Sequence, residues 1–480
     1  FPEVMACKEY LTNGYRNAAF GRYSLHAITS GNDNSALGPG NMYSLTTGEY
    51  NTAVGSHNGG NLTTGSHNVL IGGLSGNVTT GTHNVVIGKS AASNIHNGGH
   101  NIALGFNSMY GLRTSYNTCL GFRAGYGGSG AAANTTHFNG YNVIIGHEAG
   151  YNFTTGTFNT ALGYQSMSGG TPNSTGNVSG NFNTSLGYQT LRNITSGEYN
   201  TAVGVGAGYN ITSGDNNTTV GRDAMRNITT GQNNVAVGVN SMKGGTAITG
   251  QGNGGIGNNT MLALTSGNYN NSYGESSLRS LTTGVRNTGL GHAALMNLVG
   301  GNHNTGLGDE AGLAITSGTN NTCVGHNAGN SGSPSGAIGA SSHIICLGDN
   351  NVTDLYCNDT GISSSDKRDK TDIADFTHGL NWVNQLKPVT YRWDKRTWYG
   401  TDEQPIGTPD GSKKRNKKHV GFLAQDVLAI EGNPTDKDDM LIANLNEDDT
   451  AYGIKYDRLV PVLVNAIKEL SAKVAALEAA

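Results

Sequence analysis

The sequence predicts a mainly β chain: a trimeric, repeat-built β-solenoid or intertwined β-helix of ~17-residue units, followed by a small α+β domain that ends in a coiled-coil helix. Three observations predict it. A pentad, Asn-x-x-apolar-Gly, recurs at near-constant spacing over the first two thirds of the chain. The composition changes abruptly at Ser365. The stretch from Val460 to Leu477 carries an apolar heptad.

Residues 1–16 read as a lead-in whose native start lies further upstream. Residues 17–348 hold the repeats. The pentad begins at Asn17, Asn34, Asn51, Asn68, Asn84, Asn101, Asn117, Asn142, Asn159, Asn183, Asn200, Asn217, Asn234, Asn253, Asn270, Asn287, Asn304 and Asn321. Twelve of the seventeen spacings are 17 residues, two are 16 and three carry insertions. Degenerate copies follow, Ser335–Gly339 (SGAIG) and then IICLG.

Each pentad has strand character. Its fourth position is apolar throughout (Phe20, Leu37, Val54, Ile71, Val324) and its second is usually Thr or Val. Alternate residues of a strand share a face, so positions two and four are expected to form the buried face. The third position is mostly small (Ala53, Ala161, Ala202), which implies close packing on the other face as well. Gly stands three residues before the Asn in most repeats, as TTG or TSG. An apolar residue often falls six before it: Leu45, Leu62, Val78, Phe153, Ile194, Ile211, Ile228, Leu264. One unit of this kind cannot bury a core, whereas stacked copies can. Eighteen coils at the strand spacing of ~4.8 Å would span roughly 85 Å, a rod. The small-residue face, left uncovered by a single repeat, predicts association of three chains.

Three stripes accompany the repeat. A ring precedes many of the pentad asparagines: Tyr50, His67, His83, His100, Tyr116, Tyr141, Phe158, Phe182, Tyr199, Tyr269, His303. It reads as a ladder of stacked rings keeping coils in register, against a sugar-stacking surface or an axial metal site. N-x-S/T triplets recur at Asn61, Asn77, Asn152, Asn193, Asn210 and Asn227. Stacking one coil apart crowds glycans, and Asn is also a turn residue. A Thr array could order ice-like water, but insertions spoil the flat lattice that needs.

The linker-like stretch 349–364 ends the glycine-rich regime. Of 74 glycines only 7 follow Ser364, whereas 36 of the 62 charged residues do. Net charge is −4, which argues against a nucleic-acid surface. The one basic run (Lys413, Lys414, Arg415, Lys417, Lys418) reads as a solvated loop. No apolar run approaches the ~20 residues of a membrane-spanning helix. Five cysteines (Cys7, Cys119, Cys323, Cys346, Cys357) lie far apart without metal spacing, so neither a disulfide scaffold nor a metal site is expected, and no cofactor is implied.

From Ser365 four stretches run in order: SDKRDKTDI (365–373), LKPVTYRWD (386–394), HVGFLAQDV (419–427) and YGIKYDRLVPVLVNAIKEL (452–470). As an ordered set they resemble the intramolecular chaperone and auto-protease domain at the C-terminus of phage tailspikes and tail fibres, endosialidases among them. The Asn pentads resemble the head repeats of trimeric adhesins. The first resemblance implies that residues 365–480 guide assembly of three chains and are then released. It also implies a catalytic Ser–Lys dyad, Ser365 and Lys370, making the domain a single-turnover serine endopeptidase that cuts its own chain.

A serine hydroxyl needs a base to take its proton. Lysine at its reference pKa of ~10.4 is neutral in about 1 in 2,500 molecules at pH 7. The site is therefore expected to press Lys370 by burial or by a neighbouring cation, Arg368, with Asp366 as a further supporting residue. On spacing alone, Ser365 could instead cap a helix start. Val460, Leu463, Ile467, Leu470, Val474 and Leu477 form the heptad of a helix over 455–480, expected to join three chains. Tyr391, Trp393, Trp398 and Phe422 are assigned to the domain's core.

The resulting reading is a trimeric viral tail fibre or spike, placed on the virion or an extracellular surface. It would present a surface to a host glycan or protein receptor and meet other tail proteins through the upstream segment. The alternative is a non-viral extracellular filament or adhesin with the same maturation domain. A polysaccharide-cleaving spike ranks below both, because the acid-poor repeats offer no paired carboxylates.

Overall fold

Eighteen of eighteen pentads form a strand over their central residues, and within each of the chain's two compact units every pentad strand lies parallel to and in register with its neighbour, so that the repeats wind into a parallel β-solenoid. The computed structural model describes residues 14–480 apart from 94, 112–113, 128–137, 171–176, 246, 353, 356–364, 402–403, 405 and 447. Cys7, Cys357 and most of the 349–364 linker lie outside them. The chain divides into two compact units, one ending at His292 and the other beginning at Ala293.

In the first unit sixteen pentad strands, from Ala18–Phe20 to Thr288–Leu290, stack with one-coil offsets such as Thr201↔Thr218 and Val203↔Val220. The second unit holds three more, Thr305–Leu307, Thr322–Val324 and Ile345–Leu347. The expected degenerate pentad at 335–339 is not a strand. Ile338 instead takes the inward apolar place, buried to 1%, and the strand comes from the following IICLG.

The faces of the pentad are the reverse of those expected. The third position points inward and is buried: Ala53, Leu70, Val86, Ala103, Cys119, Ile144, Ala161, Ala202 and Ala236 are all 0% exposed. Positions two and four point outward, with Leu37, Leu162, Leu186 and Leu290 at 39–55%. The physical reason is the narrow interior of a 17-residue coil. The opposite walls fill it with Leu45, Leu62, Ile194 and Ile211, the residues six before the Asn, and with Met42, Met225, Met242 and Met261, eight after it. What remains across from a methionine admits little: a Cβ at Gly255 would lie 2.9 Å from Ser241 Oγ and 3.1 Å from Met242 Cγ, whereas the larger Leu70 and Ile144 pack against Gly76 and Gly150. The small-residue face is thus covered within one chain and, contrary to expectation, offers no seam for partner chains.

The pentad Asn is the second structural element. Asn51 donates from both its backbone N–H (3.0 Å) and Nδ2 (2.9 Å) to Oδ1 of Asn34, one coil back, and from Nδ2 to the carbonyl of Gly65 (2.9 Å). Asn68, Asn84 and Asn101 repeat this, as do Asn200, Asn217 and Asn234. Buried amides are tolerated only when hydrogen-bonded, and here the next coil supplies the partner. Asn200→Ala would orphan the Gly214 carbonyl and the Asn217 donors. At about 1–3 kcal/mol per buried unsatisfied group, we expect a loss of ~2–4 kcal/mol, read as a lower denaturant midpoint at unchanged slope. A shift within half a kcal/mol would refute the ladder's energetic role.

The fifth residue of the pentad must be Gly. At Gly88 φ is +134°, and a Cβ would stand 2.6 Å from the Gly105 carbonyl of the next coil. The residue before the Asn is left-handed too (Tyr50 φ 56°, His83 φ 59°, Tyr199 φ 56°), a conformation that strains bulky side chains. Stacking offsets that strain. Nine rings, Tyr50, His67, His83, His100, Tyr116, Tyr141, Phe158, Phe182 and Tyr199, form one continuous ladder with centroids 4.7–5.1 Å apart.

The second unit continues from the last coils into the small α+β domain. Helix α1 (Leu380–Val383), helix α2 (Ala424–Ile430) and helix α3 (Leu459–Glu478) accompany two antiparallel pairs, Val389–Tyr391 with His419–Gly421 and Ala443–Leu445 with Tyr452–Ile454. Their core is Trp382, Val427, Leu428, Met440, Ile442, Ala443, Leu459 and Val462. Phe422 packs against it as expected. Tyr391, Trp393 and Trp398 do not enter it; Trp398 carries cations on its ring instead. Helix α3 docks through Leu459, Val462 and Ala466, while its heptad residues Val460, Leu463, Ile467, Leu470, Val474 and Leu477 stay 44–78% exposed. Among the described residues no helix is long and apolar enough to cross a membrane.

Candidate functional site

The segment from Ser365 is built on a single tight turn. Asp366 caps the 3-10 turn Lys367–Asp369 by accepting from the Arg368 backbone N–H at 2.9 Å, and the Lys370 N–H closes the turn on the Lys367 carbonyl. Asp366, not Ser365, is therefore the cap. Folding five residues back in this way brings the two ends of the motif together, and Lys370 Nζ donates to Ser365 Oγ at 2.7 Å. Both side chains are exposed.

Arg368 does not stand free as a cation pressing on Lys370. Its guanidinium clasps the Asp366 carboxylate, with Nε 3.1 Å from each oxygen and a further contact at 2.5 Å. That ion pair holds Asp366 below the usual carboxylate range and raises Arg368 above its own. Asp366 and Arg368 thus neutralise one another beside the hydroxyl–amine pair. Chemically, the turn presents a serine hydroxyl in hydrogen-bond contact with a lysine amine, in a setting open to water.

The repeat stripes are also resolved. Rings stacked face to face leave their edges to solvent, so the Tyr50–Tyr199 ladder lacks the free faces on which a sugar stacks. A second ladder, Phe106, Phe122, His147, Tyr164 and Tyr188, runs five residues after each Asn. The Nδ2 groups of Asn193 and Asn210, which a glycan would occupy, donate to the next Asn of the series at 2.7 and 2.9 Å. Thr195 and Thr212 turn their hydroxyls to carbonyls of the following coil. Cys119, Cys323 and Cys346 are buried free thiols, and burial pushes Cys119 and Cys323 up to about 12.

Comparison with known proteins places the C-terminal segment. Residues 365–435 match the model of one family, described as the chaperone of endosialidase. The match begins at Ser365, takes in three of the four ordered stretches, and ends before α3. No curated protein and no solved structure matches the chain. Together, the parallel β-solenoid and this segment fit a tailspike- or fibre-like protein carrying an endosialidase-type chaperone domain.

Sequence reasoning missed two features of the solenoid: the buried Asn ladder and the inward Met series. The second had a visible signal, since Met42, Met109, Met167, Met225, Met242 and Met261 all fall eight residues after a pentad Asn.

Proposed function

We propose that this chain is the shaft and host-attachment protein of a viral tail fibre or spike. In this reading it works as a homotrimer whose residues 365–480 direct assembly and are then released by a Ser365–Lys370 self-cut. One observation carries the reading beyond the family match. A single chain leaves two apolar rows uncovered, the α3 heptad and the outward pentad residues (Leu37, Leu162, Leu186, Leu290), while its own cores are complete without them. Extended apolar surface of this kind marks an interface, and copies of the same chain supply a row of the same period.

The same logic gives the cut its timing. Lysine becomes a base on a neighbouring hydroxyl once water is removed from around it. The turn is exposed in one chain, so assembly would provide that removal and make cutting conditional on correct folding. Light scattering on Ser365→Ala full-length protein should give roughly three times 49.8 kDa. Glu at Leu162, Leu186 and Leu290 together should shift the solenoid to monomers with unchanged β-sheet circular dichroism. A stable wild-type monomer would overturn the trimer.

A further inference from the structure

We infer that the basic side of the C-terminal domain is a latch for the last coil of the solenoid, strong enough to hold only while the chain is continuous. The inference rests on the reading that the chain is cut near Ser365. Its partner is a segment of this same chain, residues 331–354.

Within the second unit the two meet around a cleft of about 1350 Å³, with Trp398, Lys413 and Arg415 on one wall and Glu310, His326 and Asp349 on the other. The basic run read as a solvated loop is part of this wall. Arg415 lies over the Trp398 ring at 4.8 Å, its N–H donates to the Trp393 carbonyl at 2.9 Å, and Lys417 pairs with Asp354. Lys395, half-buried between Trp393 and Trp398, donates from Nζ to the Asn350 carbonyl at 2.8 Å, and Trp398 Nε1 reaches the same oxygen at 3.4 Å. Elsewhere on the same coil the Ala337 N–H donates to Asp448 at 3.2 Å. Gly336 makes room for that carboxylate, since a Cβ there would lie 2.5 Å from Asp448 Oδ1.

These contacts are few, polar and set around an open cleft, and among the described residues the domain's apolar core takes in none from 331–354. Such contacts persist when a short tether keeps the partners at millimolar effective concentration. Once the tether is cut, the same contacts must hold at the bulk concentration of the protein. Basic side chains facing acidic ones also make the hold weaken with salt. Cutting one peptide bond thereby becomes release, with no rearrangement of either partner.

The test uses full-length Ser365→Ala protein with a specific protease site inserted in 356–364, cut after assembly and followed by size exclusion over a dilution series. The pieces should co-elute when concentrated at low salt and separate on dilution or in half-molar salt. Lys395→Met on the domain side should move the dilution midpoint up by about tenfold, and independently Asp354→Asn on the solenoid side, which removes the exposed pair with Lys417, by about twofold. Circular dichroism melts of both pieces should stay unchanged, which separates a lost latch from a lost fold. Pieces that stay together at every dilution and salt, or midpoints unmoved by both substitutions, would overturn the latch. Because an external protease makes the cut, a wild type that never cuts itself would sink the self-cutting reading and leave this result standing.

Discussion

A gene that ends at Ser364 is expected to yield aggregated protein, whereas removal of residues 365–480 after assembly leaves soluble trimers intact. The cause is the regularity of the repeat. Each coil offers its neighbours in a trimer the same outward row, and most coils follow at a 17-residue spacing. A chain displaced by one coil therefore keeps nearly all apolar contacts, so alignment between chains is weakly specified by the repeats. It has to be set at one end, and the C-terminal domain with its exposed α3 heptad stands at that end. Misaligned chains leave the outward apolar rows of their end coils uncovered, and exposed apolar surface invites aggregation. We expect soluble trimer from the truncated gene to fall at least about tenfold below that from the full gene. The comparison is with full-length protein cut later at an inserted site, by sedimentation and heat resistance. Soluble, heat-resistant trimers from the truncated gene would show that the solenoid aligns itself, and the assembly role of residues 365–480 would be lost.

Ser365→Ala should abolish cutting, and Lys370→Ala should slow it by about 10²–10⁴, the usual contribution of a positioned general base. Lys370→Arg should be as inactive as Lys370→Ala, because arginine stays protonated. In all three the product should be full-length, folded and trimeric, since no residue of the turn is buried or belongs to the domain's core. Intact-mass measurement during refolding distinguishes the outcomes. A Ser365→Ala chain still cut at that position would move the nucleophile elsewhere. A wild type never cut would leave residues 365–480 as a retained assembly domain. Arg368→Ala is the informative companion: it frees the Asp366 carboxylate beside the pair, so its effect reports whether neutrality of that ion pair matters to the cut.

The sequence by itself determined the period, the position of the eighteen pentad strands, the Gly corners, the apolar residue that often stands six before the Asn, and the helix with its apolar heptad. These are local: Gly at φ near +130° and an apolar heptad carry their conformational meaning within a few residues. The pairing of Ser365 with Lys370 came from the resemblance of 365–373 to the chaperone family and not from spacing, and the two side chains meet across one tight turn that needs no distant partner.

Only the tertiary structure decided which face of the pentad is inside. A strand of three residues has two faces and no preference between them, and the choice falls to whatever fills the coil from the opposite wall. There Met242 and Ile211 leave room for Ala and Gly, not for Leu. The buried Asn ladder was hidden for the same reason, since the partner of Asn51 is Asn34, seventeen residues away and adjacent only once coils stack. Trp398 reads as a core residue in sequence, yet its surroundings come from Arg415 stacked on its ring and from Asn350 across a cleft that no local pattern encodes.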